Sequence, residues 1–182
     1  MSDEVQDLNV QLCEKCGWTV GVPYQAEITT NDKLEFVSAM LSGRRWSKTF
    51  PLFGGKMSVR FESRKAKDSD ILTNAMNEKF GPTPFNEDKI RAFYEYGFGM
   101  CLREIRRSNG NTTEFPNLDL VNLDGIRSRL DAISSQEDEA VIMAAKAAFS
   151  MFENMYQLLT ARATDPNFYE DVLKSEDSST ST

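Results

Sequence analysis

Histidine is absent from this 182-residue chain, and its absence removes more chemistry than any motif supplies. Serine triads with a histidine base, cysteine–histidine dyads and histidine-ligated metal sites are excluded together. Cysteine is scarce: Cys13, Cys16 and Cys101 cannot all pair with one another, so a reducing cytosol is the expected compartment. No apolar run approaches the ~20 residues that cross a bilayer, and the acidic start from Met1 to Asp7 carries no secretory pattern, so no membrane role is expected. A basic surplus is also lacking. The formal net charge of −7 argues against a nucleic-acid partner.

What remains is a chain long enough to bury a core, as one domain or as a small domain with an appended one. Its most informative stretch is the last third. From Glu137 to Phe168, Val141, Ala145, Ala148, Phe149, Phe152, Met155, Tyr156 and Leu159 recur at three- and four-residue steps, which places them on one stripe of a long helix. Such a stripe needs a cover, either inside its own domain or on another chain, and it also admits a homo-oligomer. It contains no group able to do chemistry, which points to contact rather than turnover.

Residues 1–12 are polar and expected to be loose, and residues 174–182 form a Ser/Thr/Asp tail expected to be disordered. Residues 13–67 read as a small α+β unit. Trp18 to Ile28 suits a strand, and Thr29-Thr30-Asn31 offers N-cap oxygens to a helix from Asp32 to Leu41. Lys48 to Phe53 and Lys56 to Glu62 are two strands joined by Gly54-Gly55, a pair able to take positive φ in a tight turn. Met57, Val59 and Phe61 alternate with polar residues, so that strand has one buried face.

Residues 68–173 read as helical. Asp68 or Ser69 caps a helix through Lys79, and Gly81-Pro82-Thr83-Pro84 breaks it. Asn86 caps the next, which runs to Arg106 with Gly97 and Gly99 inside it, a sign of close packing or a bend. A loop covers Ser108 to Thr113, and a short helix spans Gly125 to Ile133. Ser134 to Glu137 has capping-box spacing, and with Asp138 it opens the long helix that Asp165-Pro166 ends. The expected architecture is α+β: an N-terminal hairpin unit with a short helix, then a C-terminal helical bundle.

Three local clusters bear on function. Cys13-Glu14-Lys15-Cys16-Gly17 has the form of a knuckle that offers two thiolates to one Zn²⁺. A closed site needs four ligands, and the usual second half is missing, so zinc, a local redox pair and a plain turn all stay open. Arg44-Arg45-Trp46-Ser47-Lys48, with Arg60, Arg64, Lys65 and Lys67 near it, reads as a patch for phosphate or an acidic protein surface, or as a solvated strand edge. Gly54-Gly55-Lys56 lacks the spacing of a phosphate loop. Glu137-Asp138-Glu139 suits a helix N-terminus better than an acid/base pair. With no reactive constellation in view, an enzyme is not expected and no cofactor beyond that zinc is implied.

The order "FPLFGGKMSVRFESRKAKDSDILTNAM", "IRAFYEYGFGMCLREI" and "RSRLDAISSQEDEAVIMAAKAAFSMFENMYQLLTARATDPNFYE" resembles the small tail or baseplate-hub assembly proteins of tailed bacteriophages. The likeness spans roughly residues 45–170. It rests on a strand frame set before a helical half that closes on Asp-Pro-x-Phe-aromatic, and it does not extend to Cys13 and Cys16. The resemblance implies a non-catalytic protein of the host cytoplasm that binds the tape-measure protein or a hub subunit during tail morphogenesis. One alternative is a structural subunit retained in the virion; another, outside the resemblance, is a zinc-dependent binding module or regulator built on Cys13 and Cys16. On the assembly reading Phe149, Phe152, Met155, Tyr156 and Leu159 line a groove or core, Arg44, Arg45 and Trp46 make a second contact, and Met100, Met143 and Met151 add adaptable apolar surface.

Overall fold

The computed structural model describes residues 11–12, 19–20, 28–82, 86–116, 122–163, 165 and 168. A two-residue pair, β1 (Gln11–Leu12) with β2 (Thr19–Val20), opens the chain. Of the strand expected from Trp18 to Ile28, only β2 is strand within the described residues. Helix α1 (Thr30–Leu41) begins as its cap predicts. Thr29 Oγ1 accepts from the Asp32 N–H at 3.2 Å, and the Asp32 carboxylate accepts from the Thr29 N–H at 3.0 Å, a reciprocal cap contributing about 1 kcal/mol. Strands β3 (Ser47–Leu52) and β4 (Met57–Glu62) pair antiparallel, Phe50 opposite Val59. Their turn holds Gly54 at φ 64° and Gly55 at φ 83°, the conformations for which glycine is the low-cost residue.

Helices α2 (Ala66–Phe80) and α3 (Glu87–Cys101) follow, the latter capped by the Asn86 side chain. The expected helix to Arg106 is corrected here: α3 stops at Cys101, and Leu102–Arg107 is strand β5, paired with β4. Leu102 and Ile105 sit at a helical spacing, but β4 decides the matter. Val59 and Phe61 are fully buried, and the β4 edge beside them carries backbone N–H and C=O groups that β5 pairs from Met57 to Phe61. The switch is stabilised by two buried arginines. Arg103 donates to Met100 O at 2.7 Å and Leu102 O at 2.9 Å, while Arg129 donates to Gly99 O at 3.1 Å and Leu102 O at 2.8 Å. Cations thus meet the carbonyls and negative dipole of the α3 C-terminus.

Strand β6 (Thr112–Glu114) pairs with β5, so the sheet runs β3-β4-β5-β6 and draws strands from both sides of residue 67. Helix α4 (Leu123–Gln136) takes its cap from Asn122, and α5 spans Glu139–Arg162. A second correction concerns the Ser134–Glu137 spacing. Both residues close the end of α4 and its C-cap instead of opening α5. Glu137 instead turns inward and accepts from Thr113 Oγ1 at 2.6 Å and from the Arg107 guanidinium.

One face of the sheet is apolar. Phe50, Leu52, Val59, Phe61, Leu102 and Ile105 pack with α1 and α5 into the main core. A second cluster joins α2, α3 and α4 through Leu72, Met76, Tyr96 and Ile126. The glycines in α3 mark its close approaches. A Cβ on Gly97 would lie 3.0 Å from an Arg64 nitrogen and 3.3 Å from Phe149, and one on Gly99 would lie 2.8 Å from Leu130. What crowds them is side chains, not a second backbone. This is an α+β protein, with a four-stranded antiparallel sheet and helices concentrated in the later half.

Candidate functional site

The apolar stripe of α5 is in place, and its cover is internal. Phe152 stacks on Trp46 with ring centroids 5.2 Å apart and lies 5.5 Å from Phe61, while Phe149 lies 5.6 Å from Phe61. Phe149, Phe152, Met155 and Leu159 are buried in the main core, and Tyr156 is partly buried against it. Full burial of a side chain of that size contributes roughly 1.5–3 kcal/mol. Of the two covers the sequence allows, the stripe has its own sheet and α1, so a partner groove made of these five residues is corrected to a core. Met100 is buried, Met151 packs against the core, and Met143 stands exposed on α5.

The basic cluster disperses in the same way. Trp46 is 2% exposed, an aromatic of the core and not a surface contact, and its Nε1 meets no hydrogen-bond acceptor among the described residues. Arg45 donates to Ser63 O at 2.8 Å and pairs with Asp68, whose carboxylate also caps the start of α2. Arg64 is drawn inside and holds Glu153 of α5 through both terminal nitrogens, at 2.9 and 2.5 Å. Arg60 lies on the outer sheet face between Glu62 and Glu104. Lys48 pairs with Asp32. Exposed Lys65 donates to Gly43 O, and exposed Arg44 bonds the serines at the end of α1. Sequence proximity had suggested one patch; separate carboxylates and carbonyls draw these side chains apart, and the two that lie in strands, Lys48 and Arg60, take opposite sheet faces.

The remaining polar interior is spent on structure. Asp32 and Asp68 are both pulled below the ordinary aspartate value: burial alone would raise them, but hydrogen bonds from Lys48 and Thr29 to the first, and from Arg45 and Lys65 to the second, outweigh it. Arg129 donates four hydrogen bonds to carbonyls and is pushed down to about 10 by burial and then by the charge of Arg103. Burial raises the Cys101 thiol to about 12, so at neutral pH it is a small apolar core group and not a nucleophile. Cys13 and Cys16 lie outside the described residues, and among the described residues no three His, Cys, Asp or Glu side chains gather as a metal ion requires. No helix among them is long and apolar enough to cross a membrane.

The surface carries what the interior does not need. Met40, Leu41, Phe53, Ile90, Tyr94, Met143 and Leu158 are large apolar side chains that stay exposed. Ile90 and Tyr94 are neighbours one turn apart on α3, and Met40 and Leu41 end α1. Phe53 sits in the β3–β4 turn at φ 49°. Sequence reading passed over it because periodicity assigns it to the end of a strand. The available signal was its place beside Gly54-Gly55, where a turn demands left-handed backbone.

Fold and surface together define an α+β protein with a closed core and scattered apolar anchors. Comparison with protein-family models, curated proteins and solved structures finds no match for this chain.

Proposed function

We propose that this protein is a non-catalytic assembly protein that binds another polypeptide, in the setting its sequence resembles: the morphogenesis of a bacteriophage tail in the host cytoplasm. The observation that carries the reading is the set of exposed apolar side chains on a fold whose core is already filled, with Leu41 at 80% and Met143 at 63% exposure. Within that set Met40 with Leu41 at the end of α1, and Ile90 with Tyr94 on α3, are adjacent apolar pairs that a second protein would cover more favourably than water. Supporting it, Asp32, Asp68 and Glu153 are consumed in ion pairs that tie α1, α2 and α5 to residues in or beside β3 and β4, and the Cys101 thiol is held in its inert form. The partners proposed are the tape-measure protein or a baseplate hub subunit. Binding would use the outer surface and leave the α5 stripe inside.

The test is co-expression of the chain with each tail component in turn, followed by size-exclusion chromatography with mass determination. A complex of fixed stoichiometry with one component is the expected result, and elution alone beside every component refutes the reading. Mass spectrometry of purified virions then separates an assembly factor, which leaves the particle, from a structural subunit, which stays at fixed copy number.

A further inference from the structure

Phe53 stands in a conformation that works against its own fold. At φ 49° it occupies the left-handed region, where a Cβ meets the following carbonyl, and it precedes two glycines that take the same region without that clash. Glycine at 53 would relieve the contact. Burial does not compensate, since Phe53 remains 48% exposed. An aromatic ring is thereby held out at the tip of the β3–β4 turn, and backbone outliers of this kind, kept only where the surrounding structure over-determines them, cluster at functional sites.

The tip is also rigid, clear and basic. Leu52 anchors it in the core, and the Ser108 N–H donates to Lys56 O at 2.9 Å, bracing it against the β5–β6 turn. A Cβ added at Gly54 or Gly55 would meet nothing within 4 Å, so none of the described chain covers it. Lys56 is exposed and makes no ion pair among the described residues, whereas Arg106 on the neighbouring strand is paired with Glu104 at 2.9 Å. Lys56 thus places one unpaired cation at the tip, on a chain of net charge −7.

We propose that the Phe53 tip is the anchor through which this protein docks, its ring entering an apolar pocket of a partner protein whose rim carries carboxylates that meet Lys56. The ring supplies the buried centre of the contact, the braced turn limits the ordering entropy of binding, and the charges orient the approach. A protein is favoured over an anionic membrane, because one aromatic side chain on an acidic chain gives neither the apolar depth nor the overall charge that a bilayer surface requires. The inference rests on the assembly reading above and specifies its surface.

The test measures affinity for the tail component that binds wild type, with Phe53→Gly and Lys56→Glu compared in parallel, and thermal melting of each. Phe53→Gly is expected to melt at the same temperature or higher and to bind roughly tenfold or more weakly, and Lys56→Glu to slow association at low salt. Undiminished binding by Phe53→Gly, or a lowered melting temperature, overturns the anchor while the assembly reading stands. If wild type binds no component, both fall. Flotation of wild type but not Phe53→Gly with phosphatidylcholine–phosphatidylserine vesicles would reassign the tip to a membrane surface and refute the protein pocket.

Discussion

Replacing Glu153 with alanine tests the interior most sharply, because it separates the worth of an ion pair from the cost of breaking it. Glu153 is 3% exposed, and its carboxylate accepts both terminal nitrogens of Arg64, at 2.9 and 2.5 Å. Arg64 also lies over the Phe93 ring, and its carbonyl accepts from Tyr156 Oη. Removing the carboxylate leaves a guanidinium inside, packed closely against Gly97 and the Phe93 ring. Breaking a buried pair in this way costs about 3–5 kcal/mol, whereas replacing both partners by apolar groups of similar volume is often neutral. Urea unfolding of Glu153→Ala should therefore show a midpoint shift equivalent to most of that loss, and Arg64→Met combined with Glu153→Leu should recover the larger part. A loss below about 1 kcal/mol for the single variant would show that Arg64 reaches water, and the description of this pair as buried would be wrong.

Three further outcomes follow from the same packing. Phe152→Ala should cost about 3–5 kcal/mol in denaturant unfolding, since its ring is enclosed by Trp46, Phe61 and Phe149; a near-neutral result would put the stripe outside the core. Asp32 and Asp68 titrate below the ordinary value of 3.8 in the folded chain. Their contribution is thus present above about pH 4 and is lost as pH falls through the depressed folded values. Asn at both positions should flatten the acid limb of a stability–pH profile, and an unchanged limb would contradict the assignment. Cys101, raised to about 12 by burial, should resist iodoacetamide at pH 8 in the native protein and react on unfolding, as read by peptide mass mapping; rapid native labelling would place it at the surface.

Much of the fold was legible where local chemistry and tertiary demand agree. The Thr29 and Asn86 caps, the Gly54-Gly55 turn, the alternation of Met57, Val59 and Phe61, and the period of α5 each specify one conformation by short-range physics. The failures lie where a distant element decides. Leu102–Arg107 suits a helix as well as a strand, and only the exposed flank of β4 selects the strand. Glu137 has the spacing of a helix start, and only Arg107 and Thr113 draw it into the interior. The functional surface was harder to read. Amphipathicity reveals that the Phe149–Leu159 stripe must be covered but not by what, and the sheet that covers it is completed by β5, the strand misassigned as helix. Arg45, Trp46 and Arg64 looked like a patch because their destinations are tertiary: Trp46 enters the core, Arg45 meets Asp68 and Arg64 meets Glu153 of α5. Phe53 carried its signal only in its place before Gly54-Gly55, which periodicity does not weigh.

Hydrogen exchange on the chain alone and with the proposed tail component present distinguishes a closed core from an open stripe. The α5 amides from Phe149 to Leu159 should already be protected in the isolated chain and change little on binding, while new protection concentrates at Phe53–Lys56. Fast exchange along α5 in the free protein, slowed only when the partner is added, would show that the stripe is the contact after all and that the closed core described here is not the working state.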